Sequence, residues 1–258
     1  MRARNEHGPN ISNRGPPFDD CRSSGVDWTR SGYTLSLGQS AQNPGCTDFS
    51  PLHQVPALDD SKLWADDINA VIQSLDLDHP LLSGWSYGPL VFLDYIRYYG
   101  EEQIGGLQFV GGVTKLGSPE AMSVLTPEFL NLVPQFLSTD AETTARGLEG
   151  LLRLCFARKP SPTELYLMLG YNFSVPPYVR QGMFSRSFDN DDLLSKIRKP
   201  VLITHGAADA IVKPNAVEQH KAAMRHAEIQ LLPNVGHGVF WDDTAGFNER
   251  LHAFCERL

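Results

Sequence analysis

The chain has 258 residues and a net charge of −8, with 41% hydrophobic and 20% charged residues. This length suits one α/β domain with an inserted subdomain and a large core. An acidic surface repels phosphate backbones and offers no basic patch to anionic lipid, so we expect neither nucleic acid nor a membrane as partner.

The start of the chain and its cysteines favour a cytoplasmic protein. Residues 1–17 carry charge but are followed by no apolar stretch, so no targeting signal is predicted. The cysteines form neither a CxxC pair nor a zinc-binding spacing, which favours free thiols in a reducing compartment. They are Cys21, Cys46, Cys155 and Cys255.

Residues 1–57 differ in composition from the rest of the chain. Gly, Pro, Ser, Asn and Arg dominate there, which is typical of an irregular or disordered segment. The one strand candidate is Tyr33–Leu37, where apolar and polar residues alternate weakly.

Residues 58–115 and 198–258 have the alternating pattern of an α/β core. In the first range we predict a helix to Leu75 after a capping Asp59-Asp60-Ser61, a strand over 79–83, a turn over 84–88, a helix over 89–99 and a strand over 106–113. In the second we predict strands over 200–206 and 228–232 and helices over 215–225 and 244–256.

Residues 116–197 are predicted to be an inserted helical cap without strands. The predicted helices cover 128–137, 141–156 and 163–169. Aromatic residues of the cap either line a pocket or pack the cap itself: Phe129, Phe136, Tyr166, Tyr171, Phe173, Tyr178 and Phe184.

A serine lies between two glycines in the turn Gly84-Trp85-Ser86-Tyr87-Gly88. A sharp strand-to-helix turn exposes such a serine as a nucleophile, and the glycines avoid side-chain collisions. The following helix directs its N-terminal amides at the place where an oxyanion forms.

A serine hydroxyl needs a base to accept its proton. His237 lies in a glycine-flanked loop after the last predicted strand and is the candidate. We interpret the other histidines near the C-terminus as turn or helix-surface residues: His205, His220, His226 and His252.

An acid is needed to orient the histidine. Asp209 follows the strand over 200–206, at the carboxyl edge of the sheet where ligands gather. The rivals Asp242 and Asp243 are predicted to cap the last helix instead.

From about Asp60 onward, the chain resembles the α/β-hydrolase superfamily, in particular cap-bearing serine esterases and haloperoxidase-like hydrolases. The resemblance rests on GWSYG, PVLITHGAADAIV and LPNVGHGVFWD. It implies a mostly parallel sheet flanked by helices, with Ser86 as nucleophile, Asp209 as acid and His237 as base. It also implies the backbone N–H of Tyr87 as one oxyanion donor, a small acyl compound as substrate, and no cofactor.

The first 57 residues depart from that superfamily, which normally begins with several strands and a His-Gly loop. Because those strands would flank the strand before Gly84, we expect that strand to lie at the edge of the sheet. Two alternatives to an efficient esterase remain: a non-catalytic or truncated hydrolase-fold protein, and a perhydrolase-like or haloperoxidase-like activity on the same three residues.

Overall fold

A computed structural model describes residues 34–36 and 59–258. The rest of the segment 1–57, with Cys21, Cys46 and most of its predicted irregular or disordered stretch, lies outside the described residues. The strand candidate Tyr33–Leu37 is partly within them, and a strand forms over Thr34–Ser36.

Within the described part of the chain, five parallel strands form the main sheet in the order β1-β2-β3-β6-β7. Their bounds are β1 Thr34–Ser36, β2 Leu81–Trp85, β3 Gly106–Val110, β6 Val201–Gly206 and β7 Glu228–Leu232. The four strands predicted in the α/β core are therefore confirmed. Strands β2, β3 and β6 are buried along nearly their whole length, as expected of parallel strands covered on both faces.

The strand before Gly84 does not lie at the sheet edge, so that expectation is wrong. Strand β1 pairs with it in parallel, with Thr34 opposite Leu81 and Ser36 opposite Ser83. A strand from the N-terminal segment thus occupies the position next to β2.

Helices cover both faces of the sheet. Successive strand residues point to opposite faces: Leu82 and Ile203 belong to one apolar cluster, and their neighbours Leu81 and Leu202 to another. Helices α1 (Ser61–Ser74), α2 (Gly88–Tyr99) and α9 (Asn215–Ala223) contribute to the first cluster, and α11 (Thr244–Cys255) to the second. The short helix α10 is Val239–Asp242.

Local signals explain where the first two helices begin. The side chain of Asp60 accepts a hydrogen bond from Lys62 N at 2.8 Å and caps α1, as its predicted role requires. Pro89 lies in the first turn of α2, where its missing N–H costs no helical hydrogen bond. Helix α2 is buried from Gly88 to Ile96, so the turn before it is held against the core.

Between β3 and β6 the chain forms the helical insertion, residues 116–197. Its helices are α3 Pro119–Ser123, α4 Pro127–Phe136, α5 Ala141–Cys155, α6 Pro162–Phe173, α7 Pro177–Ser185 and α8 Asp191–Leu194. The prediction of no strand is wrong: β4 (Lys115–Leu116) and β5 (Phe188–Asp189) pair antiparallel. This pair joins the beginning of the insertion to its end.

The aromatic residues named in the insertion differ in burial, and Tyr178 and Phe184 are half-buried against the apolar clusters. Phe129 and Phe136 are buried in its apolar cluster, which agrees with a packing role. Tyr166, Tyr171 and Phe173 are 78%, 69% and 45% exposed, so these three side chains contribute little to packing. Among residues 59–258, no helix combines the length and apolar character needed to cross a bilayer.

Candidate active site

Ser86 occupies a strained turn between β2 and α2. Its φ is +57°, a left-handed conformation that costs a non-glycine residue free energy. The surrounding backbone holds it there, because Ser86 N donates to Val110 O at 3.0 Å and Val113 N donates to Ser86 O at 3.0 Å. The segment after β3 therefore fixes the serine at the carboxyl end of the sheet.

The two glycines of the turn are not equivalent. A Cβ on Gly84 would lie 2.6 Å from both Gly88 C and Pro89 N, whereas a Cβ on Gly88 would meet no atom within 4 Å. The prediction that a glycine avoids a collision in the turn is therefore confirmed for Gly84. It is wrong for Gly88.

Asp209 and His237 meet beyond the ends of β6 and β7. His237 Nδ1 lies 2.7 Å from Asp209 Oδ2, and the two side chains are 1% and 0% exposed. The other carboxylate oxygen accepts from Ile211 N at 2.8 Å and Val212 N at 2.9 Å. These two backbone donors fix the orientation of the carboxylate toward the imidazole.

The charge state of Asp209 follows from these contacts. Burial alone would raise the pKa of its carboxyl, but the charge and hydrogen bond of His237 and the N–H of Ile211 outweigh burial, and the pKa lies below its ordinary value. An ionised carboxylate only accepts hydrogen bonds, so His237 Nδ1 carries the proton in the neutral ring. The lone pair on Nε2 is then available to accept a proton.

Gly111 lies between the backbone that binds Ser86 and the ring of His237. It follows Val110, the acceptor of the Ser86 N–H, and a Cβ at Gly111 would lie 3.0 Å from His237 Nδ1. Its φ is +52°, which favours glycine for a second reason. A larger residue at 111 would displace the imidazole.

His205 is a site residue that the sequence interpretation missed. It was expected on a turn surface, yet it is 1% exposed, and its Nε2 lies 3.0 Å from Val212 O and 3.3 Å from Asp209 Oδ2. Because a carbonyl only accepts, Nε2 carries the proton in that contact. Burial lowers the pKa of His205 despite the nearby carboxylate, so a neutral ring supports the turn that holds Asp209.

The other three histidines named near the C-terminus differ in burial. His220 is buried, at 4% exposure, so its predicted place on the helix surface is wrong. His226 and His252 are exposed, as predicted. Whether a residue is buried depends on which segments pack over it, and the neighbouring sequence does not show which segments these are.

Asp242 and Asp243 have different partners. Asp243 caps α11 by accepting from Gly246 N, as predicted. Asp242 does not cap that helix; its carboxylate accepts from Gly236 N and Ala157 N at 2.8 and 2.9 Å, and from Arg158 N at 2.8 Å. The prediction for Asp242 is therefore wrong, and its partners include the residue just before His237.

Tyr87 links the serine turn to the helical insertion. Its hydroxyl donates to Met183 O at 3.1 Å and accepts from Arg186 Nη1 at 3.3 Å. Burial raises its pKa to about 12, so the phenol stays protonated. Arg186 also donates to Asp94 Oδ2 at 2.5 Å and to Ser61 Oγ at 2.9 Å. The residue after the serine is thus held by one buried guanidinium.

Within residues 59–258, no group of three or more His, Cys, Asp or Glu is arranged to hold a metal ion. The residues that lie at this end of the sheet include Ser86 with its hydroxyl and the hydrogen-bonded imidazole and carboxylate of His237 and Asp209. This is the combination that proton-assisted nucleophilic attack requires.

The chain matches a known protein family over most of its length. The profile of the Alpha/beta hydrolase family matches residues 23–250. The match begins well before Asp60, where the sequence resemblance began. The AB hydrolase superfamily protein YisY of Bacillus subtilis is 24% identical over 202 residues, which are 76% of this chain and 73% of that protein.

Solved structures show similar chains. The esterase RhEst1 from Rhodococcus sp. ECU1013 is 28% identical, with a TM-score of 0.73 over 79% of this chain and 75% of that chain. A putative aryl esterase from Burkholderia cenocepacia is 29% identical, with a TM-score of 0.68 over 77% and 72%. A bromoperoxidase from Bacillus anthracis, at 20% identity, has a TM-score of 0.68 over 76% and 74%; it shares the fold.

Proposed function

Because the chain belongs to the alpha/beta hydrolase family and has the α/β-hydrolase fold that the sequence predicted, we propose that it is a serine hydrolase of carboxylic esters or related acyl compounds. The observation that carries the proposal is the buried 2.7 Å contact between Asp209 and His237, at the sheet end where Ser86 occupies its strained turn. Among the residues described, these three supply a nucleophile, a base and an orienting acid.

The chemistry proceeds in two acyl transfers. Ser86 Oγ attacks the carbonyl carbon of the substrate while its proton passes to His237 Nε2, and that proton then goes to the leaving alcohol. The C–O bond to the alcohol breaks and an acyl-enzyme remains. Water then attacks the acyl carbon, gives a proton to His237, and the acid leaves as Ser86 recovers its proton.

The carboxylate of Asp209 acts through the histidine. It holds the proton on His237 Nδ1 and stabilises the imidazolium that forms when Nε2 accepts the serine proton. Its lowered pKa supports a carboxylate that stays ionised through both steps.

The oxyanion of each tetrahedral intermediate is assigned to the start of α2. The backbone N–H of Tyr87 lies next to Ser86, at the positive end of the helix dipole. The hydrogen bonds of the Tyr87 hydroxyl to Met183 and Arg186 support a fixed position for that residue.

The comparisons support an ester as substrate. The Rhodococcus protein is an esterase and the Burkholderia protein a putative aryl esterase, at 28% and 29% identity. We assign residues 116–197 the role of a cap, which would bind a small acyl compound over Ser86. The scattered cysteines support the cytoplasm as the location.

Labelling with a fluorophosphonate probe tests the proposal, together with hydrolysis of p-nitrophenyl acetate. We expect the wild-type protein to be labelled and active, and Ser86→Ala to lose labelling and at least about 1,000-fold in kcat. Retention of labelling or turnover in Ser86→Ala would overturn the assignment of the nucleophile. A folded wild-type protein that reacts with neither probe would support the non-catalytic alternative.

A further inference from the structure

His237 lies in a loop whose backbone is held by polar contacts on both sides of the histidine. The loop connects β7 to α10, and it is bound just before the histidine, at the histidine and just after it. Gly236 N donates to the Asp242 carboxylate at 2.8 Å, Trp85 Nε1 donates to His237 O at 2.9 Å, and Gly238 N donates to Cys155 O at 2.7 Å.

The Asp242 contact also reaches the helical insertion. The oxygen that accepts from Gly236 N accepts from Ala157 N as well, and the second oxygen accepts from Arg158 N. One carboxylate therefore joins the histidine loop to residues 155–158, the turn after helix α5.

The loop and the 155–158 turn are closely packed against each other. A Cβ on Gly236 would lie 2.8 Å from Ala157 N, and a Cβ on Gly238 would lie 2.3 Å from the Phe156 ring. At this separation a displacement of the turn toward the loop would meet the backbone on either side of the histidine.

We propose that Asp242 is a positioning residue for His237, which transmits the position of the 155–158 turn of the insertion to the base. This proposal rests on the proposed hydrolase function. Asp242 touches no reacting atom; it acts by holding Gly236, and so sets the distance between His237 Nε2 and Ser86. Geometry errors of about 1 Å in such an arrangement cost about 100-fold in rate.

The neighbouring residue provides a matched control. Asp243 also binds through its carboxylate, to Gly246 N at 3.2 Å and Arg250 Nη2 at 2.6 Å. Its partners belong to α11 and not to the histidine loop. Replacing Asp243 therefore removes the adjacent carboxylate and leaves the hydrogen bond from Gly236 N to Asp242 in place.

The experiment compares Asp242→Ala, Asp242→Asn and Asp243→Ala with the wild-type protein, at a temperature well below every Tm. We expect Asp242→Ala to lower kcat by about 10- to 100-fold with little change in KM. Asp242→Asn should recover part of the loss, because one acceptor oxygen remains, and Asp243→Ala should stay within about twofold of wild type.

A second readout does not depend on turnover. The NMR resonance of the His237 Nδ1 proton should shift in Asp242→Ala and stay in place in Asp243→Ala. Equal kcat values and unshifted resonances in both variants would overturn the proposal. If Asp242→Ala does not fold, the same comparison between Asp242→Asn and Asp243→Asn decides it.

Failure of the proposed function would have a different signature. In that case the wild-type protein would show no turnover sensitive to Ser86→Ala, while the His237 resonance would still report whether Asp242 positions the ring.

Discussion

The carboxylate of Asp209 and the imidazole of His237 form a 2.7 Å hydrogen bond between side chains that are 0% and 1% exposed. Ile211 N and Val212 N donate to its other oxygen at 2.8 and 2.9 Å. These two donors and His237 together fix the orientation of the acid.

Asp209→Asn should remove most activity without unfolding the protein. The amide is nearly isosteric, but it no longer selects the tautomer with the proton on His237 Nδ1. We expect kcat to fall by about 10,000-fold, as for the equivalent change in serine proteases, with an unchanged circular dichroism spectrum. A loss of less than tenfold would mean that Asp209 does not orient the base.

Gly84→Ala and Gly88→Ala should differ sharply in stability. A Cβ at Gly84 would meet the backbone of Gly88 and Pro89 at 2.6 Å, while the space around Gly88 is open. We expect Gly84→Ala to lose about 1–3 kcal/mol of unfolding free energy, and Gly88→Ala to stay within about 1 kcal/mol of wild type. Urea unfolding measures both, and equal losses would contradict the difference in packing.

Arg186→Met should destabilise the protein far more than Arg97→Met. Arg186 and Asp94 form a buried pair at 2.5 Å, 1% and 4% exposed, whereas Arg97 and Asp192 are paired at 3.1 Å with 39% and 55% exposure. Losing Arg186 leaves the Asp94 carboxylate buried without its cation, which costs about 3–5 kcal/mol.

The exposed pair is the control, and its loss should cost less than about 1 kcal/mol. The free energy of unfolding of each variant, from urea titration at one pH, gives the comparison. Similar losses in the two variants would show that the buried pair contributes no more than a surface pair.

His220 should make the protein sensitive to mild acid. Burial lowers the pKa of His220 to about 4. The unfolded chain then binds this proton more tightly than the folded protein. The stability present above about pH 6.5 is consequently lost as the pH falls toward 4, by about 3 kcal/mol in total.

His220→Met removes that titrating group and keeps an apolar side chain of similar size in the core. The difference in unfolding free energy between pH 7 and pH 4 should shrink by about 3 kcal/mol relative to wild type. Comparing the two pH values within each variant separates this effect from any change in packing. An unchanged difference would show that His220 is protonated equally in both states.

Patterns within short stretches of sequence predicted the core elements and the three proposed site residues. Strands β2, β3, β6 and β7 and helices α1, α2, α9 and α11 occur where periodicity, capping residues and glycines predicted them. Gly84-Trp85-Ser86 identified the strained turn because backbone strain leaves a local signature in residue choice. Ser86, Asp209 and His237 could each be predicted because each follows a predicted strand.

Only the tertiary structure decided which side chains support that site. His205 and His220 are buried, Asp242 holds the histidine loop while Asp243 caps a helix, and β1 pairs with β2. Two of the deciding contacts join segments far apart in the chain: Asp242 with Ala157 and β1 with β2. Local sequence determines which conformations a segment prefers, but burial and hydrogen-bond partners depend on which distant segment packs against it.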